Sequence, residues 1–346
     1  VTERIDYEVY DGISGADELA LVAARLADSS ADAAPRLMIS RLTGHATALG
    51  RHQRETTTLV ANHGQPLLRR LGSGRATAYG DGQVSLCLIV PDLHAYAGVH
   101  DPIKVINRGV RGLLRALKTF GLRAIYGGRD MVTVQRRPVA LLSMEALTGE
   151  ALSSEALPGG VCMFQAIIGL SRQAMPDSAC LQMAAAAGLG GEPWMPLAEV
   201  VDAITFERLV EAIVSGYGKE TGRELLPSQP DAAPAPLPNR PGDGEGYTWS
   251  APVTVPIGRL QAGVRVADGS LADTALCGDF IVGSAALVDL SAALSGAAPE
   301  PRSVGLAVDR VFAGELGHSI LGVSDLGVIR DAILQAAADD RGQHGL

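Results

Sequence analysis

Residues 68–90 read LRRLGSGRATAYGDGQVSLCLIV and hold the densest candidate chemistry in the chain. Arg69 and Arg70 precede Gly72, Ser73 and Gly74, and Gly80 and Gly82 stand just ahead of an apolar run. Glycines let backbone N–H groups approach an oxyanion closely, and arginines neutralise its charge. The same stretch also reads as a glycine-rich hairpin with solvated arginines, and spacing alone leaves both readings open. Chemistry that requires a lysine has three candidates, Lys104, Lys118 and Lys219, because every other basic residue is arginine. The first two fall on an amphipathic helix and the third near a linker, positions that read as surface. Cys87, Cys162, Cys180 and Cys277 are scattered without a CxxC pair, as expected of reduced, buried thiols. Cys162 follows Gly159-Gly160 and is the best candidate nucleophile, yet its apolar neighbours point to a structural thiol. His45, His52 and His63 lack metal-site spacing and read as loop or surface residues.

These residues need a scaffold, and the periodicity supplies one. Residues 14–27 open with a capping serine and carry apolar residues at helical spacing. Residues 36–42 and 46–50 read as strands, and 83–90 as a buried strand ending at Pro91. Residues 101–120 form an amphipathic helix with Ile103, Ile106, Val110, Leu113, Leu114 and Leu117 on one side. Residues 131–135 and 139–144 read as a strand pair turned at Arg136-Arg137-Pro138, and 206–221 as a further helix. The proline- and glycine-rich stretch 226–247 reads as a linker. Beyond it, 253–266 and 271–282 read as strands joined by a turn at Ala267-Asp268-Gly269, followed by a helix over 284–294. Strands and helices mix without strict βαβ alternation, so the fold class is α+β with a mixed sheet. Two domains are expected, 1–225 and a smaller α+β unit at 248–346, each able to bury its own core in a chain of 346 residues.

Charge narrows the partners. A net charge of −9 repels phosphate backbones, so no nucleic acid partner is expected without a local basic patch. The first residues lack a basic segment followed by an apolar one, and apolar runs such as 86–91 fall far short of the roughly 20 residues of a membrane span. A cytoplasmic protein with no membrane partner is the expectation.

Several segments in register resemble the lipoate–protein ligase A family, with its biotin/lipoate-ligase catalytic fold and C-terminal accessory domain. RLTGHATALGRHQ at 41–53 is similar to the family's R-x-x-x-P-x-x-S-x-G-x-x-Q strand pair. Residues 68–90 resemble its R-R-x-T/S-G-G-G-A-V-x-H-x-x-G-Q loop, and Gly128-Arg129-Asp130 stands at its G-R-N-D. Residues 260–266 through Cys277-Gly278-Asp279-Phe280 resemble the accessory domain's G-D-F strand. The resemblance spans nearly the whole chain. It implies ATP- and Mg2+-dependent joining of lipoate to AMP, then transfer to a lysine of a lipoyl carrier domain in a 2-oxoacid dehydrogenase or glycine-cleavage protein. It also implies an apolar tunnel for the acyl chain. Carried over by position, Arg70 faces the adenylate phosphate, with Gly72, Ser73, Gly74, Arg75 and Ala76 forming the loop around it. Gly82 and Gln83 close that loop, Asp130 sits by nucleotide and metal, and Ala140, Leu141 and Leu142 flank the acyl adenylate.

Three positions depart from the pattern. Ser73-Gly74-Arg75 replaces the triple glycine, and Tyr79 stands where the family has histidine. The catalytic lysine's G-R-K-V-A-G turn reads Arg136-Arg137-Pro138-Val139-Ala140-Leu141, with Pro138 at the lysine and Arg137 one place before it. Arg137 is the candidate substitute, although its planar fork differs from an ammonium. The alternatives are a non-catalytic relative that binds acyl groups or carrier domains, and a cysteine-dependent octanoyl- or lipoyltransferase using Cys162.

Overall fold

The computed structural model describes residues 3–30, 33–62, 64–93, 96, 103–147, 160–174, 180–182, 194–229, 246–314 and 318–344. Strand β1 (Arg4–Ser14) runs directly into helix α1 (Gly15–Ala27). Ser14 caps that helix as its sequence suggests, its Oγ accepting from Asp17 N at 3.1 Å. There follow β2 (Arg36–Thr43), β3 (His45–Leu49), α2 (Glu55–Thr58), β4 (Leu67–Arg69), β5 (Thr77–Gly80) and β6 (Gln83–Val90). Next come α3 (Ile103–Thr119), β7 (Ala124–Tyr126), β8 (Met131–Val134), β9 (Arg137–Leu147), β10 (Val161–Gly169), α4 (Phe206–Thr221) and β11 (Glu224–Pro227). The main sheet has the order β11-β1-β2-β6-β10-β9-β8-β7, while β4-β3-β5 form a small second sheet. Strand β1 is parallel to both β11 and β2, and the remaining pairs of the main sheet are antiparallel, so the sheet is mixed.

Period-two alternation divides the central strands between two layers. Val84, Leu86, Leu88 and Val90 of β6 and Phe164, Ala166 and Ile168 of β10 pack against Val105, Ile106, Val110, Leu113 and Leu117 of α3 and Leu209 and Ile213 of α4. The opposite face turns Ser85, Cys87, Met163, Gln165, Leu141 and Ser143 toward α1 and the small sheet. Both faces of β6 are covered, which is why all eight of its residues are buried.

After the chain resumes come β12 (Thr248–Trp249), β13 (Val253–Val255), β14 (Gly258–Ala267), β15 (Ser270–Gly278), α5 (Ser284–Leu294), α6 (Pro301–Phe312) and α7 (Gly327–His344). This unit has its own core, from Leu260 and Val264 through Phe280 and Leu290 to Ile333. Asp268 (φ 51°) and Gly269 (φ 75°) make the expected hairpin turn. Among the described residues no helix is long and apolar enough to cross a membrane.

Three expectations are corrected. The β8–β9 turn is Gln135-Arg136, with φ of 50° and 68°, so Arg137 and Pro138 lie inside β9. Pro138 is accommodated at a register shift between Val132 and Thr133, where the ladder needs no donor from it. Leu226 and Pro227, taken as the start of the linker, instead belong to β11 beside β1, while 230–245 lie outside the described residues. The strand expected over 253–266 folds back at Pro256-Ile257 into two.

Candidate functional site

The loop between β4 and β5 lies flat on the main sheet because backbone takes the place of side chains. Arg70 N donates to Leu49 O at 2.8 Å, Arg51 N to Gly72 O at 3.0 Å, and Ser73 N to Met144 O at 2.9 Å. A Cβ on Gly50 would stand 1.8 Å from Gly74 O, and Gly74 itself has φ +113°. No residue with a side chain fits at Gly50 without moving the loop.

Arg70 is the candidate residue that the loop positions. It is 1% exposed, and its Nη2 donates to the carbonyl of Arg75. Among the described residues its Nε and Nη1 have no partner. Burial weakens its hold on its proton, and the nearby Tyr79, Glu18 and Asp130 counter that effect. A buried guanidinium with two free N–H edges is costly by itself and suited to a bound anion.

Arg75 and Asp130 are committed to each other. Arg75 Nε and Nη2 donate to the two Asp130 oxygens at 2.5 and 2.8 Å, with both side chains at most 2% exposed. Asp130, expected near a metal, is therefore the counter-ion of Arg75. Each of its oxygens accepts one bond and its charge is balanced by Arg75, which weakens its hold on a divalent ion. Among the described residues no three His, Cys, Asp or Glu side chains converge as a metal site.

Behind Arg70 the sheet carries a polar row. The Glu18 carboxylate accepts from Ser85 Oγ at 2.7 Å and from Tyr79 Oη and Gln165 Nε2, both at 3.1 Å. Ser143 Oγ donates to Gln165 Oε1 at 3.2 Å. Burial raises the Glu18 pKa despite these bonds and the nearby Arg70. Apolar groups flank the row, Leu141, Ile167 and Trp194 on one side and Met38, Ile89 and Met163 on the other. Tyr79, standing where the resembling family has histidine, thus joins loop to helix. Sequence reasoning missed Glu18, Ser85, Ser143 and Gln165. The available signal was a charged residue among the core positions of α1 and a lone serine or glutamine within otherwise apolar buried strands.

Other expected site residues fall elsewhere. Ala76 packs with Leu49, Leu59 and Leu181. Gly82 O accepts from Leu170, Ser171 and Arg172, and Gln83 Nε2 donates to Gln173 O, so this pair anchors the end of β10. Strand alternation turns Leu141 toward Tyr79 but sends Ala140 and Leu142 into the core under α3. Arg137 donates to Glu199 at 2.8 Å and to Trp194 O at 3.1 Å, which directs its charge to the hairpin end of β9. Lys104, Lys118 and Lys219 are all exposed. Cys162 is 2% exposed inside β10, on the face packed against α3. His45 is exposed beside Arg172, and His63 lies outside the described residues. His52 stacks on Phe280, and burial together with Arg51 and Arg69 lowers its pKa to about 3.

The C-terminal unit closes over the loop. Ser73 Oγ lies 2.8 Å from Val282 O and accepts from Val282 N at 3.0 Å. Glu145 accepts from Ser284 N at 2.7 Å and Ser284 Oγ at 2.9 Å, while pairing with Arg51 at 3.2 Å. Gln53 donates to Asp279, whose pKa burial pushes up to about 6. Ser73 is thus a docking residue between the two units.

This architecture, an eight-stranded mixed sheet with a flat glycine loop under an α+β accessory unit, is the biotin/lipoate protein ligase-like fold. No family model and no curated protein matches the sequence. Among solved structures, P. falciparum LipL1 in complex with lipoate is 14% identical with a TM-score of 0.64, covering 96% of this chain and 99% of that one. The bipartite lipoate protein ligase of Thermoplasma acidophilum is 13% identical with a TM-score of 0.52, covering 66% of this chain and 88% of its own. A lipoate-protein ligase A bound with ATP gives 13% identity and a TM-score of 0.53, over 65% and 89%. At such identities the likeness establishes the fold.

Proposed function

We propose that this chain is a cytoplasmic lipoate–protein ligase-like protein that holds a lipoyl-type acyl group by its carboxyl end at Arg70. The observation that carries this reading is the buried Arg70 guanidinium with its two unpartnered nitrogens beside the glycine loop. ATP supplies an adenylyl group to the acyl carboxylate, with release of pyrophosphate, and a lysine of a lipoyl carrier domain then displaces AMP. In both steps negative charge grows on oxygens at the carboxyl carbon and phosphate. A fixed guanidinium in a water-poor site favours that charge, and removing one such donor costs on the order of 100- to 1000-fold in rate. The test is incubation with lipoate, Mg·ATP and an apo lipoyl domain, following pyrophosphate release and carrier mass. Arg70→Ala is expected to abolish both lipoate binding and transfer.

A second reading, acyl-group binding without catalysis, is favoured by the cations themselves. Arg75 is matched to Asp130, Arg137 to Glu199, and the chain's three lysines are exposed. Arg70-dependent lipoate binding with no pyrophosphate and no mass shift supports this reading over the first. Absence of lipoate binding removes both.

A further inference from the structure

Helix α3 carries a cationic stripe that the Arg70 site does not use. Its 17 residues, IKVINRGVRGLLRALKT, contain no acidic side chain. Lys104, Arg108, Arg111, Arg115 and Lys118 recur at intervals of four, three, four and three, and all five are exposed. At 100° and 1.5 Å per residue this spacing places them within an arc of roughly 80° along about 21 Å of helix. The helix's other face is fixed in the core through Ile106, Val110, Leu113 and Leu117. The stripe therefore points to solvent on the side of the sheet opposite α1 and Arg70.

The pairs with Glu220 and the place of Lys118 in the last turn account for the C-terminal end of the stripe but not for Lys104 and Arg108. A lysine in the first turn opposes the helix dipole, and like charges three and four apart repel. Local rules broken in this way mark functional surfaces more often than structural ones. The stripe also runs against a chain of net charge −9.

The C-terminal half of the stripe borders an open groove of about 680 Å³, lined by Arg111, Arg115, Lys118, Leu122, Arg123 and Glu220 among others. Within it, Glu220 of α4 pairs with both Arg111, at 3.6 Å, and Arg115. The groove thus already holds one carboxylate between arginines a turn apart. Lys104, Arg108, Lys118 and Arg123 have no ion-pair partner among the described residues. Leu114 and Leu122 add apolar lining, and among the described residues no aromatic side chain lines the groove for base stacking. We propose that the α3 stripe and its groove form a docking surface for an acidic polypeptide segment, whose carboxylates extend the pattern that Glu220 begins.

The probe is a fluorescein-labelled acidic 20-residue peptide, alternating Glu with Ala and Leu, titrated by anisotropy with the full chain. Binding at 50 mM NaCl that weakens at least tenfold at 300 mM is expected, since exposed charges are screened. The variant Arg108→Ala/Lys118→Ala/Arg123→Ala is expected to weaken binding at least tenfold. Glu220→Gln frees Arg111 and Arg115 and is expected to tighten it several-fold, a result that damage to the fold would not produce. A 20-nucleotide RNA and phosphatidylserine vesicles serve as rival ligands. No peptide binding, binding indifferent to the triple variant and to Glu220→Gln, or stripe-dependent binding of RNA or vesicles tighter than that of the peptide would each overturn the proposal.

Discussion

The Arg75–Asp130 pair lends itself to a double-mutant cycle. Each partner is nearly inaccessible, and the guanidinium makes two bonds to one carboxylate. Asp130→Leu leaves a buried cation uncompensated, and Arg75→Met leaves a buried anion. Breaking such a pair from one side costs about 3–5 kcal/mol, whereas replacing both members with apolar side chains of similar volume is close to neutral. The double variant Arg75→Met/Asp130→Leu is therefore expected within about 1–2 kcal/mol of the wild type, far from the sum of the singles. Trp194, 5% exposed and clustered with Met131 and Leu141, reports on this region, and Trp249→Phe removes the second tryptophan. Urea unfolding followed by Trp194 fluorescence gives the four stabilities. Single variants costing under about 1 kcal/mol, or a double variant equal to their sum, would refute the pairing. The same cycle addresses the metal. Mg2+ is expected to leave the wild-type midpoint unchanged, and an Asp130-dependent rise on adding Mg2+ would show that those oxygens are available after all.

Other perturbations test the loop and its cover. Gly50→Ala drives a Cβ toward Gly74 O and is expected to cost about 3 kcal/mol or more in the same assay; a neutral result would mean that the loop does not lie flat. Ser73→Ala strips the hydroxyl from between Met144 and Val282 and leaves Val282 N bare, costing about 1–3 kcal/mol. Faster proteolysis between the two units is its signature, and an unchanged rate would place the docking energy elsewhere. His52, with its pKa lowered from 6.5 to about 3, contributes stability present above pH 6.5 and lost as pH falls through that window. Asp279, raised from 3.8 to about 6, acts in the opposite sense, favouring the fold as pH falls through 6. Between pH 6 and 4, His52→Phe is thus expected to gain stability on acidification and Asp279→Asn to lose it; urea midpoints of like slope would contradict both assignments.

Local pattern made most of the scaffold legible. Residues 83–90, 206–221 and 284–294 form the expected strand and helices because their apolar spacing matches one period, and Asp268-Gly269 turns because those residues tolerate positive φ. Where two structures suit the same local pattern, tertiary context decided. Residues 226–227 carry a proline and look like linker, yet the open edge of β1 recruits them as a strand. The β8–β9 turn moved to Gln135-Arg136 once the ladder set its register, and that shift put Pro138 and Arg137 on a strand.

The site divides along the same line. The sequence by itself determined that Arg70 precedes a loop of small residues, that lysine is absent from the expected turn, and that α3 bears a row of cations. Each is a matter of residue type and spacing within one segment. Only the tertiary structure decided which charges meet. Arg75 and Asp130 are 55 positions apart, Glu18 and Gln165 are 147 apart, and Ser73 and Val282 are 209 apart. No local period encodes such pairs. They arise because the sheet order places β9 and β10 beside β6 beneath α1, and because the C-terminal unit closes on the loop. A buried charge must then take whichever partner the packing brings within reach. Asp130 accordingly holds Arg75, and Arg70 keeps two nitrogens open.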